Sequence, residues 1–487
     1  MLALQTLLGR LDLAAGSIGI ECLNPYFSFD KVPGTTTYPF QVPMTPDNLI
    51  RLNFPHVRAA QGETPAPEPA DFYIEELLWR VGSLRYQGCD EDKQQLLYDF
   101  VADAADLQAQ IEGLTLPTMA LGEVPFVTDP FQMAQAPDYA LPCVRNTLFY
   151  GAKDKNPGYS GILNRYRDGL YAAGPLTPFL RLQPLLRRVL AAVGYAVSGP
   201  WFEEEEAQQL VVYSDRRHDP AVAVLQVNRH VPDISPGELL VAVQKLLGLG
   251  YDFLPARREL RITSLRYVMA DPTYIDRAGA TARTTAAANG GYLLKMGLES
   301  GDELNKTLDT SWAELRIGAG KTTLDTGAGT LHMVREADPL DPGRLWLVPA
   351  VEVPGATTEL GLSDESRCGL RLLYDRGLQP ASGGDLYPLA SSGSETYAGV
   401  SCGTEQLHWA GVQGLYAQRH QAWLEFLDRA GEEERTVPFG IADLLTLVPA
   451  RKEMVGFRKY FWQRISLSVP VNAPLEQARI THRHVRL

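Results

Sequence analysis

The chain has 487 residues, 45% of them apolar and 21% charged; this excludes a disordered polypeptide and is too long for one ordinary core, so about two to four domains are expected. Its 45 Lys and Arg stand against 58 Asp and Glu, a net charge of -13, which argues against stable wrapping of nucleic acid, since that needs clustered cations. Cys22, Cys89, Cys143, Cys368 and Cys402 are scattered without a C-x-x-C pair and read as reduced thiols rather than a zinc site or a disulfide framework.

Met1 to Leu13 lacks an early basic region and is cut by Arg10 and Asp12, so no signal peptide is expected. No uncharged apolar run approaches the length of a membrane span. From Ile18 to Val57 the text is strand-like: Phe27, Phe29 and Val32 precede a Pro33-Gly34 turn, and Thr35 to Val42 is rich in β-branched and aromatic residues. Three prolines between Arg58 and Ala70 mark an exposed loop. Tyr73 to Tyr86 and Gln95 to Ala102 alternate as strands do, and Leu107 to Leu121 reads as a further strand with a helical turn. Residues 1–127 are therefore expected to form an N-terminal β domain. Thr128 to Tyr171 is rich in Pro, Gly, Asp and Asn and reads as long loops.

Two helix-and-hairpin modules follow, Thr177 to Ser214 and Ser235 to Ser264. In the second, Leu239, Leu240, Val243, Leu246 and Leu247 share one helical face. Ser235 is placed as N-cap, Pro236 as first helical residue, Glu238 as partner in a capping box and Gly250 as the stop. Tyr251 to Leu254 and Leu260 to Ile262 then form a hairpin across 255–258. In the first module Leu182, Leu185, Leu186, Val189, Leu190 and Val193 form the apolar face, and Pro184 either kinks that helix or begins it. Ala278 to Gly291 is a linker or a helix. The middle region is thus residues 128–290.

Short runs at Tyr292 to Met296, Ala313 to Ile317, Thr330 to Val334, Leu345 to Val353 and Gly369 to Tyr374 are strand-like. Gly414 to Ala430 reads as a helix with Trp423, Phe426 and Leu427 inward, and Ile441 to Leu447 as a shorter one. Phe457 to Val469 and Gln477 to Val485 close the chain as strands, so residues 291–487 make a second β-rich domain. The expected fold class is α+β and β-rich, with two β-barrel-like or sheet domains flanking the helix-hairpin middle.

No residue carries a catalytic, cofactor or metal assignment. Gly318-Ala-Gly-Lys321-Thr-Thr resembles a phosphate loop, but the first glycine of that motif falls on Leu315 and no helix start follows, so a β-turn is expected. Glu203 to Glu206 reads as a solvated loop, lacking the spaced oxygens and internal glycine of a calcium loop. His482 and His484 share one strand face and read as a surface pair. No G-x-S-x-G elbow is present. Trp201, Trp312, Trp346, Trp409 and Trp423 are expected mostly in cores.

Several phrases carry a family resemblance: Val32-Pro-Gly-Thr-Thr-Thr-Tyr-Pro-Phe-Gln-Val-Pro with Phe54-Pro55-His56, Pro232-Asp-Ile-Ser235 leading into its helix, Leu370-Arg-Leu-Leu-Tyr-Asp-Arg-Gly-Leu-Gln, and Tyr387-Pro-Leu-Ala390. They resemble the baseplate or tail-hub proteins of prophages and long-tailed phages. The resemblance implies a structural, non-enzymatic virion tail component made in the bacterial host cytoplasm. It would join the tail tube to distal parts and line the channel during host attachment and genome ejection. It also implies a homotrimer with two tube-like β domains per subunit. The implied neighbours are a tail tube or distal tail protein, a tape measure protein, and fibre or spike proteins. The competing reading is a tail-tip carbohydrate-active enzyme or receptor-binding protein, which predicts a groove with exposed Trp or Tyr and a carboxylate pair.

Overall fold

Alternating burial organises the largest sheet. Along Ser17–Leu23, Ile18, Ile20 and Cys22 point into the core while their neighbours stay more open, as a half-buried strand requires. The computed structural model describes residues 2–29, 35–102, 107, 110–129, 138–149, 159–172, 176–219, 221–254, 257–353 and 368–485. The Pro33-Gly34 turn, residues 255–256 and parts of the 128–171 stretch lie outside the described residues.

Among the described residues fourteen strands form this sheet. In chain order they are β1 (Leu2–Thr6), β2 (Gly9–Arg10), β3 (Ser17–Leu23), β4 (Thr35–Thr37), β5 (Phe40–Pro43), β6 (Glu68–Ile74), β7 (Leu77–Asp90), β8 (Gln95–Ala102), β9 (Tyr274–Arg277), β10 (Ala280–Thr285), β11 (Glu432–Pro438), β12 (Lys452–Val455), β13 (Arg458–Pro470) and β14 (Gln477–His484). The main path runs β2-β1-β6-β7-β8-β4-β3-β13-β14-β11-β10, with β5 on β8, β12 on β13 and β9 on β12. The seam is β3 against β13, antiparallel from Ser17 opposite Pro470 to Leu23 opposite Arg464. Hydrogen bonding thus joins strands from all three regions into which the sequence was divided. The core along most of the sheet draws on both ends of the chain, with Leu4, Ile20, Phe72 and Phe100 beside Ile465 and Ile480. The fold is α+β and β-rich, as expected.

Within this sheet one topology occurs twice. β5, the helix Pro46–Arg51, and the meander β6-β7-β8 are matched by β11, the helix Ile441–Leu445, and the meander β12-β13-β14. In both, the strand before the helix pairs antiparallel with the last strand of the meander. Both also join the first two meander strands through two-residue hairpin loops, Glu75-Glu76 and Gly456-Phe457.

The second module forms as read. Ser235 Oγ accepts the Glu238 N–H at 3.1 Å while the Glu238 carboxylate accepts the Ser235 N–H at 2.7 Å, and Pro236–Leu247 is helical. The stop is Gly248, at φ 61° and ψ 51°, and not Gly250: a left-handed residue directly after the last turn is what the cap needs. Gly250 lies in the strand Leu249–Leu254, where a Cβ would come within 2.6 Å of the Tyr26 ring. That strand pairs antiparallel with Glu259–Ser264.

The first module departs from the expected hairpin. Its helix runs Leu182–Ala192, so Pro184 lies in the first turn, where its missing N–H costs nothing. The strand Ala196–Ser198 pairs in parallel with Glu259–Ser264 of the second module, and Leu210–Val212 pairs with Phe179–Arg181 and Leu372–Pro380. Sequence shows two adjacent strand-like runs, but long-range pairing decides their partners. Two further readings change. Ala280–Thr285 is strand β10, neither linker nor helix, its threonines suiting a pleated edge. Between 107 and 121 no described residue is in a strand, and Leu116–Thr118 is a 3-10 turn. The proline-rich loop is shorter than read, because Pro55–Ala60 is helical and β6 begins at Glu68.

Candidate functional site

Lys321 is exposed and follows a tight turn in which the Gly320 N–H bonds the Ile317 carbonyl at 3.2 Å. Strand Thr322–Asp325 follows where a phosphate loop would open a helix. Trp201, Trp346, Trp409 and Trp423 are buried, and Trp312, half-buried, stacks on His408 at 5.1 Å. His482 and His484 both flank the Tyr460 ring, so they do share a face. His482 is fully buried, however, which corrects the surface reading.

The acidic run is also not a solvated loop. Glu203 and Glu205 are exposed, but Glu204 and Glu206 turn inward to a cluster of three carboxylates and three guanidiniums. Glu204 Oε2 accepts from Arg266 at 3.0 Å and from Arg419 at 3.3 Å, and its other oxygen accepts from Ser264 Oγ. Glu405 accepts from Arg266 at 2.7 Å and from Arg419 at 2.6 Å. Glu206 takes Arg376 at 2.7 Å and the Thr404 N–H and hydroxyl. Burial pushes the Glu206 carboxyl up, but the Thr404 N–H and Arg376 outweigh it, leaving it below the usual range. For Arg419 burial disfavours the charge and the Glu405 carboxylate more than restores it.

These groups come from distant elements: Glu204 before the short helix Glu205–Gln208 and Glu206 within it, the helix Leu265–Ala270, the strand Leu372–Pro380, the loop at Glu405 and the π-helical turn Tyr416–His420. A balanced buried cluster fixes geometry, because each charge is costly once its partner leaves. Sequence offered four consecutive glutamates as a signal, but nothing local announces the arginines, which lie up to 215 residues away.

A second buried node sits on the large sheet. Glu453 on β12 accepts from His482 Nε2 on β14 at 2.6 Å and from Arg277 Nε on β9 at 3.0 Å, and Arg277 also pairs with Asp443. It pins the strand leaving the middle region to the second repeat. A cavity of about 370 Å³ is lined by Met333, Arg335, Leu347, residues 391–395, Gln406 and His408. Among the described residues of that lining Glu395 is the one carboxylate, and neither Trp nor Tyr is found there. Among the described residues no group of three or more His, Cys, Asp or Glu could hold a metal ion, and no helix is long and apolar enough to cross a membrane.

Neither a protein-family profile nor any curated protein matches the chain. Among solved structures it is similar to the tail protein from Neisseria meningitidis MC58, at 8% identity and a TM-score of 0.37, over 99% of this chain and 95% of that one. It is also similar to the 43 kDa tail protein of prophage MuSo2 from Shewanella oneidensis, at 9% identity and a TM-score of 0.39, over 99% and 97% of the two chains.

Proposed function

We propose that the chain is a structural, non-enzymatic component of a phage-like tail tip or baseplate, a hub that joins the tail tube to distal parts and lines the DNA or effector channel. The observation that supports this most is the repeated β unit. A chain carrying two like units in one sheet presents six such units when three copies close around an axis, which suits a six-fold tube. Closed rings also cover strand edges that a lone chain leaves open.

In this reading the protein belongs to the virion tail. Its neighbours are a tail tube or distal tail protein, a tape measure protein, and fibre or spike proteins. The buried Glu204–Arg419 cluster supports the same role, since it locks elements of the middle region to elements of the 291–487 region. The tail-tip glycan reading draws less support, because the cavity beside His408 has one carboxylate and no aromatic platform. Electron microscopy of the purified full chain, alone and with a tail tube protein, tests the proposal. Closed rings that cap the tube are expected. Lone particles in both preparations, with oligosaccharide released from host polysaccharide, would transfer the argument to the enzyme.

A further inference from the structure

The two β units are alike in topology but not in what covers them. In the second unit, β13 is edged by two strands along one side: β12 lies beside its start, Arg458–Tyr460, and β3 of the first unit lies beside Arg464–Pro470. In the first unit, β7 corresponds to β13. Its start is edged by β6 only as far as Leu84. Beyond that point, from Arg85 to Asp90, no described strand lies on that side of β7. The matching stretch of β13 buries Ile465, Leu467 and Val469, whereas every residue from Arg85 to Asp90 is half-buried or exposed.

The strand missing there has a counterpart at the opposite end of the sheet. β3 reaches β13 from its place beside β4, which pairs with β8. In the second unit the equivalent place, beside β11 and next to β14, is held by β10. β10 pairs with β11 alone among the described strands. Ala280, Thr281, Arg283, Thr284 and Thr285 are all exposed. A strand with one open edge carries unpaired backbone N–H and C=O groups, and apart from Arg283 its described side chains are uncharged and do little to repel another strand.

We propose that β10 of one copy adds antiparallel to the Arg85–Asp90 half of β7 in a second copy of this chain, reproducing between subunits the pairing that β3 makes with β13 within one. The occupant follows from the repeat: among the described strands the one seam of the required kind is internal, and its two halves recur without a strand partner on the same molecule. The contact is heterologous, since the two edges differ, so repetition around an axis closes a ring and leaves neither edge open. In that ring every β unit is joined to the next by the same kind of ladder. The inference rests on the hub reading above and adds which strands form the joint.

Cysteine cross-linking of the full chain tests it, because β7 already carries Cys89 and that side chain is not fully buried. Thr284→Cys, at concentrations where sedimentation velocity shows the assembled species, is treated with a short bis-maleimide and resolved on a denaturing gel. Covalent multimers absent from the parent chain are expected, and their loss is expected when Cys89→Ser is added. Thr281→Cys, farther along the same exposed strand, provides a second reporter, with circular dichroism confirming that each variant folds. Rings that assemble yet give no Cys89-dependent link from either position would overturn this pairing and leave the hub reading standing. A chain that stays monomeric at every concentration and with tube protein, and gives no link, would overturn both.

Discussion

Ile20 on β3 and Leu467 on β13 lie opposite each other across the antiparallel seam, both buried, although they come from the two ends of the chain. Their contact is where the first β unit becomes continuous with the second. Replacing either by Ala should cost about 2 to 5 kcal/mol, the range for deleting a large buried aliphatic side chain. Chemical denaturation of the single and double variants checks this. Coupling of about 0.5 to 3 kcal/mol between the sites is expected for residues in contact, and strictly additive costs would show that the seam is not a packed ladder.

The capping box at Ser235 predicts that Ser235→Ala loses about 0.5 to 2 kcal/mol. Lys321→Ala, on an exposed turn, should change stability by no more than about 0.5 kcal/mol. Thermal unfolding separates the two. A nucleotide hydrolysis that Lys321→Ala abolishes would reinstate the phosphate-loop reading.

Buried Arg419 pairs with Glu204 of the middle region and with Glu405 of the 291–487 region. Arg419→Ala would leave two buried carboxylates short of a partner, and a loss of about 3 to 5 kcal/mol is expected. Exposed pairs such as Lys93 with Asp90 offer the contrast: Lys93→Ala should leave the unfolding midpoint nearly unchanged, because solvent screens the pair. Equal losses in urea titration would contradict the assignment of the buried cluster as a structural lock.

Stability should fall steadily in acid. Burial holds the His420 imidazole down at about 4, and burial together with His218 and Arg216 holds His230 at about 3. The unfolded chain takes up those protons near about 6.5 while the folded chain does not, so each histidine removes about 1.4 kcal/mol per pH unit as pH drops from there toward its folded value. Glu453 acts with the same sign: burial raises its carboxyl, but His482 and Arg277 outweigh that and lower it. Its contribution is present above about 4.3 and is lost as pH falls through the depressed folded value. Unfolding midpoints should hold level from pH 8 to about 6.5 and decline below it, and a flat profile below about pH 6.5 would be inconsistent with neutral buried imidazoles.

Local chemistry made parts of this fold legible in sequence, and non-local pairing hid the rest. The helix at Pro236–Leu247 could be read because cap, first-turn proline and apolar face all lie within it. So could β13, whose apolar positions repeat, and most of β7, although the alternating stretch from Tyr73 to Tyr86 hides the Glu75-Glu76 turn that separates β6 from β7. The partner of Ala196–Ser198 could not be read, since a parallel neighbour in another module leaves no mark on those three residues. β10 was missed because Thr and Ala alternate without an apolar face to bury. The inward turn of Glu204 and Glu206 was hidden for a related reason: a charge run looks solvated until its arginines arrive from elsewhere.

The proposed hub requires two like β units per chain closing, three chains at a time, into one ring. Counting the chains measures this most directly, by native mass and electron microscopy of the protein as it sits in the assembled particle. Three copies arranged so that six similar β units surround the axis are predicted. Six chains in the ring, or a single chain at the tip, would contradict it.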